Sequence, residues 1–149
     1  MEIRAEHYFD AARQRVETAR RLHEAERFSA AVYFAGVAVE CLLRAFIVRR
    51  TPEFDARHDL RDLYKRSELG DMIPEDKRRD VAAWLGEVWE RWKNNYRYAS
   101  DERLEAEFRR QNLNRGIKGN FLKKNSHVII EAALKLMARG ELAWRSATK

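Results

Sequence analysis

Apolar residues recur along most of this chain at the three- and four-residue spacing of a helix rather than the two-residue spacing of a strand. Phe9, Ala12, Val16, Ala19 and Leu22 define one face of a first helix from Arg4 to Glu26, whose other faces are dense with Arg and Glu. A second helix, with Ser29 as its expected N-cap, runs to about Arg49 and is apolar on nearly every face. That pattern predicts the central, most buried element. Arg49 and Arg50 suit the negative pole at its end, and Pro52 marks the exit. Asp59 opens a short third helix ending at Gly70, with Leu60, Leu63, Tyr64 and Leu69 inward.

Pro74, followed by Glu75 and Asp76, is a start signal for a fourth helix. Its core face is read as Val81, Leu85, Val88, Trp92 and Tyr96, which Trp84 and Trp89 widen. Ser100 or Asp101 caps a fifth, charged helix to about Asn112. Leu113 to Asn120, with Gly116 and Gly119, reads as a flexible loop. A sixth helix then carries Phe121, Val128, Ile129, Ala132, Ala133, Leu136 and Met137 inward, with Gly140 as its stop. The expected fold is all-α: an antiparallel bundle of four long helices with two short inserted helices. Residues 1–149 form one domain in this reading, with 141–149 as a C-terminal tail. Trp144 in that tail either folds back on the bundle or contacts a partner.

Composition narrows the class. Apolar residues make up 45% of the 149 positions, enough for a proper core despite 36% charged residues. Two prolines and six glycines are too few turn signals for a sandwich or barrel. No apolar run follows Glu2, Arg4 and Glu6, so no secretory signal is read at the N-terminus. Glu40 and Arg44 interrupt the most apolar stretch, which argues against a membrane span. The single Cys41 has no internal disulfide partner, which fits a reducing, cytoplasmic compartment. Its place in an apolar helix reads as a buried small hydrophobe rather than a nucleophile.

Glu40 is the chemically demanding residue of the second helix. A carboxylate on so apolar a helix needs a cation or donors, or else it protonates. Arg44 lies one turn on, and Arg97 and His58 are the candidate partners from elsewhere, Arg97 first. Together with Tyr98 and His127, these residues read either as a structural clamp or as a polar cluster that contacts a ligand. No histidine pair sits at i, i+4 and no second cysteine exists, so neither a metal nor a cofactor is expected.

The second helix reads Ala31-Val-Tyr-Phe-Ala-Gly-Val-Ala-Val-Glu40-Cys-Leu-Leu-Arg44-Ala-Phe. It resembles the signature helix of HEPN domains, an apolar helix carrying a Glu with a basic residue four positions later. His58-Asp59-Leu60 with Leu63 is similar to the short segment that follows in that family. Trp92 and Arg97-Tyr98 resemble its next aromatic and Arg-Tyr positions, so the likeness spans about Ala12 to Tyr98. Many members are ribonucleases that use an Arg-x4-6-His motif. No Arg stands at the required place before His7, His23, His58 or His127. The resemblance therefore implies a stress, toxin–antitoxin or defence setting and a homodimer, without the usual nuclease motif. Its rivals are a metal-independent endoribonuclease with a dispersed site around Arg97, His58 or His127, and a protein-binding partner of a small nucleotidyltransferase.

Charge supplies the last candidate. Between Phe108 and Ile130 the chain has no acidic residue but holds Arg109, Arg110, Arg115, Lys118, Lys123 and Lys124, plus His127. With 30 basic and 24 acidic residues overall, the rest of the chain balances at 24 against 24. The whole excess of +6 thus falls in one amide-rich window that leads into a helix N-terminus. Such a window is either a solvated face or a phosphate-binding surface. Nucleic acid, RNA above all, is the expected partner. An anionic membrane is not, since the window has no apolar anchoring face.

Overall fold

The computed structural model describes residues 1–52 and 56–147. Residues 148–149 of the expected tail lie outside it. Every regular element described is helical: α1 (Ala5–Glu24), α2 (Phe28–Arg50), α3 (Leu60–Ser67), α4 (Arg78–Arg91), α5 (Asp101–Arg110) and α6 (Phe121–Ala147). Short 3₁₀ turns lie at Leu69–Met72, Glu75–Lys77 and Asn94–Tyr98.

The periodicities fold as their spacing dictates. The predicted inner face of α1 is buried at Phe9, Ala12, Val16 and Ala19. In α2, thirteen of 23 residues are buried, so it is the core element that its all-round apolar pattern predicted. α1, α3 and α6 pack against α2, and α4 packs against α6. Their buried apolar side chains join into one continuous cluster. By length and composition α2 also passes for a membrane span, yet 67% of that stretch is buried among the other helices.

Local caps explain several boundaries. The Asp59 carboxylate accepts from the backbone N–H of Arg61 and Asp62 at 3.0 and 3.1 Å and opens α3. Ser100 does the same for α5, accepting from Arg103 N–H at 3.2 Å. Ser29, by contrast, is not the N-cap of α2. The helix begins at Phe28 with Arg27 as its N-cap, two residues earlier than expected, and the Ser29 N–H donates instead to the Asp101 carboxylate at 3.0 Å. That bond ties the start of α2 to the start of α5.

Two helix ends differ from expectation for tertiary reasons. α4 stops at Arg91, so Trp92 and Tyr96 belong to an extended residue and a 3₁₀ turn rather than to the helix. The Trp92 indole is drawn onto α2, where its N–H donates to the Tyr33 carbonyl at 3.0 Å. It lies so close to Gly36 that a Cβ there would sit 2.0 Å from the ring. α6 runs through Gly140 to Ala147. There the glycine lets α6 approach Leu42, whose Cδ1 would be 2.8 Å from an added Cβ. Glu141 then meets Arg13 at 2.8 Å, and Trp144 stacks on Phe9 with ring centroids 4.6 Å apart. Trp144 is therefore a packing residue of the last helix, folded onto α1 and α2.

Candidate nucleic-acid interface

The residues singled out around Glu40 separate into three places. Glu40 itself, with 14% of its side chain exposed, accepts from Arg44 Nε at 3.3 Å and lies 2.7 Å from His58 Nδ1. Arg44, almost fully buried, also donates to the Arg57 carbonyl. This is a helix-to-loop clamp that fixes the segment before α3 against α2. Arg97 is not its partner, contrary to expectation. Because the chain leaves the helix at Arg91, the Asn94–Tyr98 turn carries Arg97 to the surface. There its guanidinium stacks over the Tyr98 ring at 4.7 Å, and Tyr98 is 76% exposed. His127 lies on α6, beside His23 of α1 rather than near Glu40, with ring centroids 6.1 Å apart.

The clamp opens onto a groove of about 660 Å³, lined by His58, Trp89, Lys93, Arg110 and Gln111 among others. Trp89 presents an exposed ring with the Arg61 guanidinium 3.6 Å from its centroid. A second groove of about 520 Å³ shares Lys93 and Arg110 with the first and extends to Tyr98 and Arg103. Lys93 and Arg110 thus form a ridge between two grooves, each with an exposed aromatic ring, with Asp59 and Glu90 also lining the first groove and Glu107 the second. Stacking rings beside cations are what a single strand uses, bases on the rings and phosphates on the charges.

The basic window begins at this ridge. Arg109 and Arg110 lie in the last turn of α5, Arg115 and Lys118 in the connection, and Lys123 and Lys124 in the first turns of α6. All six are exposed. Among the described residues Arg110 alone of the six has a carboxylate partner, Glu107. That pairing and the bond from Gln111 hold the Glu107 carboxyl down to about 2. α1 shows the contrast. Of the five arginines of α1 and its N-cap, Arg4, Arg13, Arg20 and Arg21 face carboxylates within 3.6 Å, so their charge is locally offset.

The connection is better held than its amides and glycines suggested. Asn125, buried on α6, donates to the carbonyls of Leu113 and Phe121 at 2.9 and 2.8 Å, which pins both ends. Its oxygen accepts from Arg91 Nε at 2.8 Å, tying the connection to α4. Gly116 and Gly119 take φ of 75° and 84°, which residues with a Cβ rarely adopt. Asn120 caps α6 by accepting from Lys123 N–H at 2.9 Å. The Arg109 guanidinium covers Phe121 at 5.2 Å. The cations are therefore displayed on a fixed frame, which lowers the ordering entropy lost on binding.

Other candidate chemistry is thin here. Burial first, with Glu40 adding, pushes the Cys41 thiol up to about 11, which keeps it protonated and unreactive. No group of three His, Cys, Asp or Glu side chains able to hold a metal ion occurs among the described residues. Spacing alone did not reveal Lys93 or His23, and Trp89, read as widening the core face of the fourth helix, is exposed instead. Each joins its neighbours only through the tertiary fold.

Comparison with curated proteins gives no match. A family model for the HEPN domain matches residues 5–119, from the start of α1 through α5 and most of the connection. The matched span covers well over half of the sequence and includes the Glu40–His58 clamp, both grooves and four of the six window cations; the chain belongs to the HEPN domain family.

Proposed function

We propose that this HEPN-family protein binds single-stranded nucleic acid, RNA in the first place, along the face that runs from the Trp89 and Tyr98 grooves to Lys124. The observation that carries the reading is the contrast in charge pairing. Five of the six window cations have no carboxylate partner among the described residues, whereas four of the five arginines of α1 and its cap do, Arg15 being the exception. A cation left without a local counter-charge attracts phosphate and releases counterions when it binds. Trp89 and Tyr98 supply rings for bases beside that track. Family membership supports the choice of RNA over DNA, a cytoplasmic stress, toxin–antitoxin or defence setting and assembly as a homodimer, all of which belong to this proposal. α1, α2, α4 and α6 serve in this account as the antiparallel bundle that carries the face, with α3 and α5 as inserts.

The direct test is retention of single-stranded RNA at low salt, followed by titration with salt. Binding that weakens steeply with salt is expected. Absence of RNA binding at any salt, with capture of an acidic protein instead, would replace this function with that of a protein-binding module. For the homodimer, light scattering should give about twice the 17.7 kDa chain mass at micromolar concentration. The monomer mass would contradict it.

A further inference from the structure

The groove beside Trp89 holds more than a stacking ring and a cation. α4 ends on its wall, so Trp89 and Glu90, neighbours in the chain, both line it, and Asp59 joins them from the start of α3. Lys93 and Asn94 follow where the chain leaves the helix. Trp89 is 38% exposed, and the Arg61 guanidinium, 3.6 Å from its centroid, steadies the ring. Asp59 is held in place. Its Oδ1 accepts from the N–H of Arg61 and Asp62 at 3.0 and 3.1 Å, which leaves Oδ2 without a hydrogen bond among the described residues. Glu90 makes one long contact, 3.4 Å to Arg91, whose guanidinium lies closer to Glu87 at 2.6 Å. Asn94 is half-buried, and its side-chain amide has no partner among the described residues.

These groups sort the four bases. An ionised carboxylate only accepts hydrogen bonds. Guanine is the one base whose Watson–Crick edge carries two adjacent N–H donors, on N1 and on the 2-amino group, and it can bond both oxygens of one carboxylate at once. Paired, charge-assisted bonds of this kind are strong and directional. Uracil offers one N–H between two carbonyls, and those oxygens would meet negative charge. Cytosine and adenine each set one amino group beside an accepting ring nitrogen. On a single strand these edges are free to be read. The second groove has no such acceptor to offer, because its Glu107 carboxylate is already taken by Arg110 and Gln111. Lys93 is shared by both grooves, so a phosphate held there joins a base in one groove to a base in the other.

We propose that the groove beside Trp89 is a guanine-selective subsite for one unstacked base of the bound strand. Trp89 stacks on the base, and the Glu90 carboxylate accepts from N1–H and the 2-amino group. Asp59 Oδ2 takes the remaining amino hydrogen and repels bases that present an acceptor there. The Asn94 amide donates to the guanine carbonyl, and Lys93 holds the adjoining phosphate. The groove beside Tyr98 stacks any base. Two carboxylates next to a phosphate track weaken its general attraction for nucleic acid; their place there is explained by what they exclude. Charge then brings single strands to this face, and one base selects among them.

This inference rests on the reading of the face as a single-strand binder, and the experiment separates the two. Fluorescence anisotropy with the full-length protein measures affinity for an oligouridylate and for the same strand with its central base changed to guanine, inosine, adenine or cytosine. Wild type should bind the guanine strand about 10-fold or more tighter than the adenine, cytosine and all-uracil strands. Inosine, which keeps N1–H but lacks the 2-amino group, should fall between. The readout is the ratio of affinities, in which the charge common to all strands cancels. Glu90→Gln should bring the guanine-to-uracil ratio close to one. Asp59→Asn, which keeps an N-cap of equal quality, should lower it. Both variants should bind the plain oligouridylate at least as tightly as wild type, since each removes a negative charge. Both positions are exposed, so a thermal melt should show both variants folded. Equal wild-type affinity for all five strands overturns the subsite and leaves the binding reading in place, as does a guanine preference that both variants keep. If no strand is bound even at low salt, both readings fall.

Discussion

Replacing Glu40 by Ala removes the carboxylate on which Arg44 and His58 converge, and the structure sets the size of the effect. Only 14% of the Glu40 side chain and 6% of the Arg44 side chain are exposed, so solvent screens the pair weakly. Removing one partner of a buried pair destabilises by roughly 3–5 kcal/mol. Arg44 keeps other partners, including the Arg57 carbonyl, and His58 is 44% exposed, so the lower end applies. For a chain of this length, a loss of about 3 kcal/mol lowers the melting temperature by roughly 6–12 °C. Thermal denaturation followed by circular dichroism reads this directly. Glu17→Ala is the control: also mid-helix, it removes a carboxylate that faces Arg20 and Arg21 at the exposed surface of α1. Ala has the same helix preference at both sites, so the difference isolates the clamp. Arg97→Ala should behave like the control, within about 0.5 kcal/mol of wild type. Equal midpoints for Glu40→Ala and Glu17→Ala would refute the reasoning.

Gly36→Ala should destabilise by about 1–3 kcal/mol or more, because the new methyl meets the buried Trp92 ring, itself tied to the Tyr33 carbonyl. Gly140→Ala meets the side-chain end of the buried Leu42 rather than a ring and gains helix preference of about 1 kcal/mol, so its urea midpoint should fall less than that of Gly36→Ala. Indistinguishable midpoints for the two would contradict the close approach of Trp92. His23 gives a pH dependence of known sign. Its folded-state value is lowered, so the unfolded chain binds a proton more readily. Its contribution to stability is therefore level above the ordinary imidazole value of 6.5 and is lost as pH falls through and below it. His23→Gln should flatten that part of the stability profile; an unchanged profile would show that the half-buried imidazole is not its source.

Helix type and the core faces were readable because each long segment repeats its apolar residues at one period and α2 is apolar all round. The Asp59 and Ser100 caps were readable for a local reason: side chain and backbone partner lie within three residues of each other. Boundaries set by distant partners were not. Nothing near Arg91 in sequence says that α4 ends there; the Gly36 notch on α2 that receives Trp92 does. Gly140 looked like a stop, but the approach of Leu42 and the stacking of Trp144 on Phe9 outweigh its poor helix preference. For the site, the charge window stood out because charge sums along a sequence. The choice of Arg97 for Glu40 failed because a 3₁₀ turn redirects the backbone, and nothing in the spacing of His23 and His127 announces that α1 and α6 place them side by side.

The central claim, that the unpaired cations of the window attract phosphate, is tested most directly by the salt dependence of single-stranded RNA binding. The variant replaces Arg115, Lys118, Lys123 and Lys124 by Gln, and the control replaces Arg4, Arg13, Arg20 and Arg21 of the first helix and its cap. On single strands the log–log slope is about −0.7 per phosphate contact, so losing four contacts flattens it by up to about 3 units. The account predicts that flattening for the window variant, with helicity intact, and a slope near wild type for the control. Equal loss in both variants would mean diffuse attraction, and no loss in either would mean a solvated face; each result contradicts the claim.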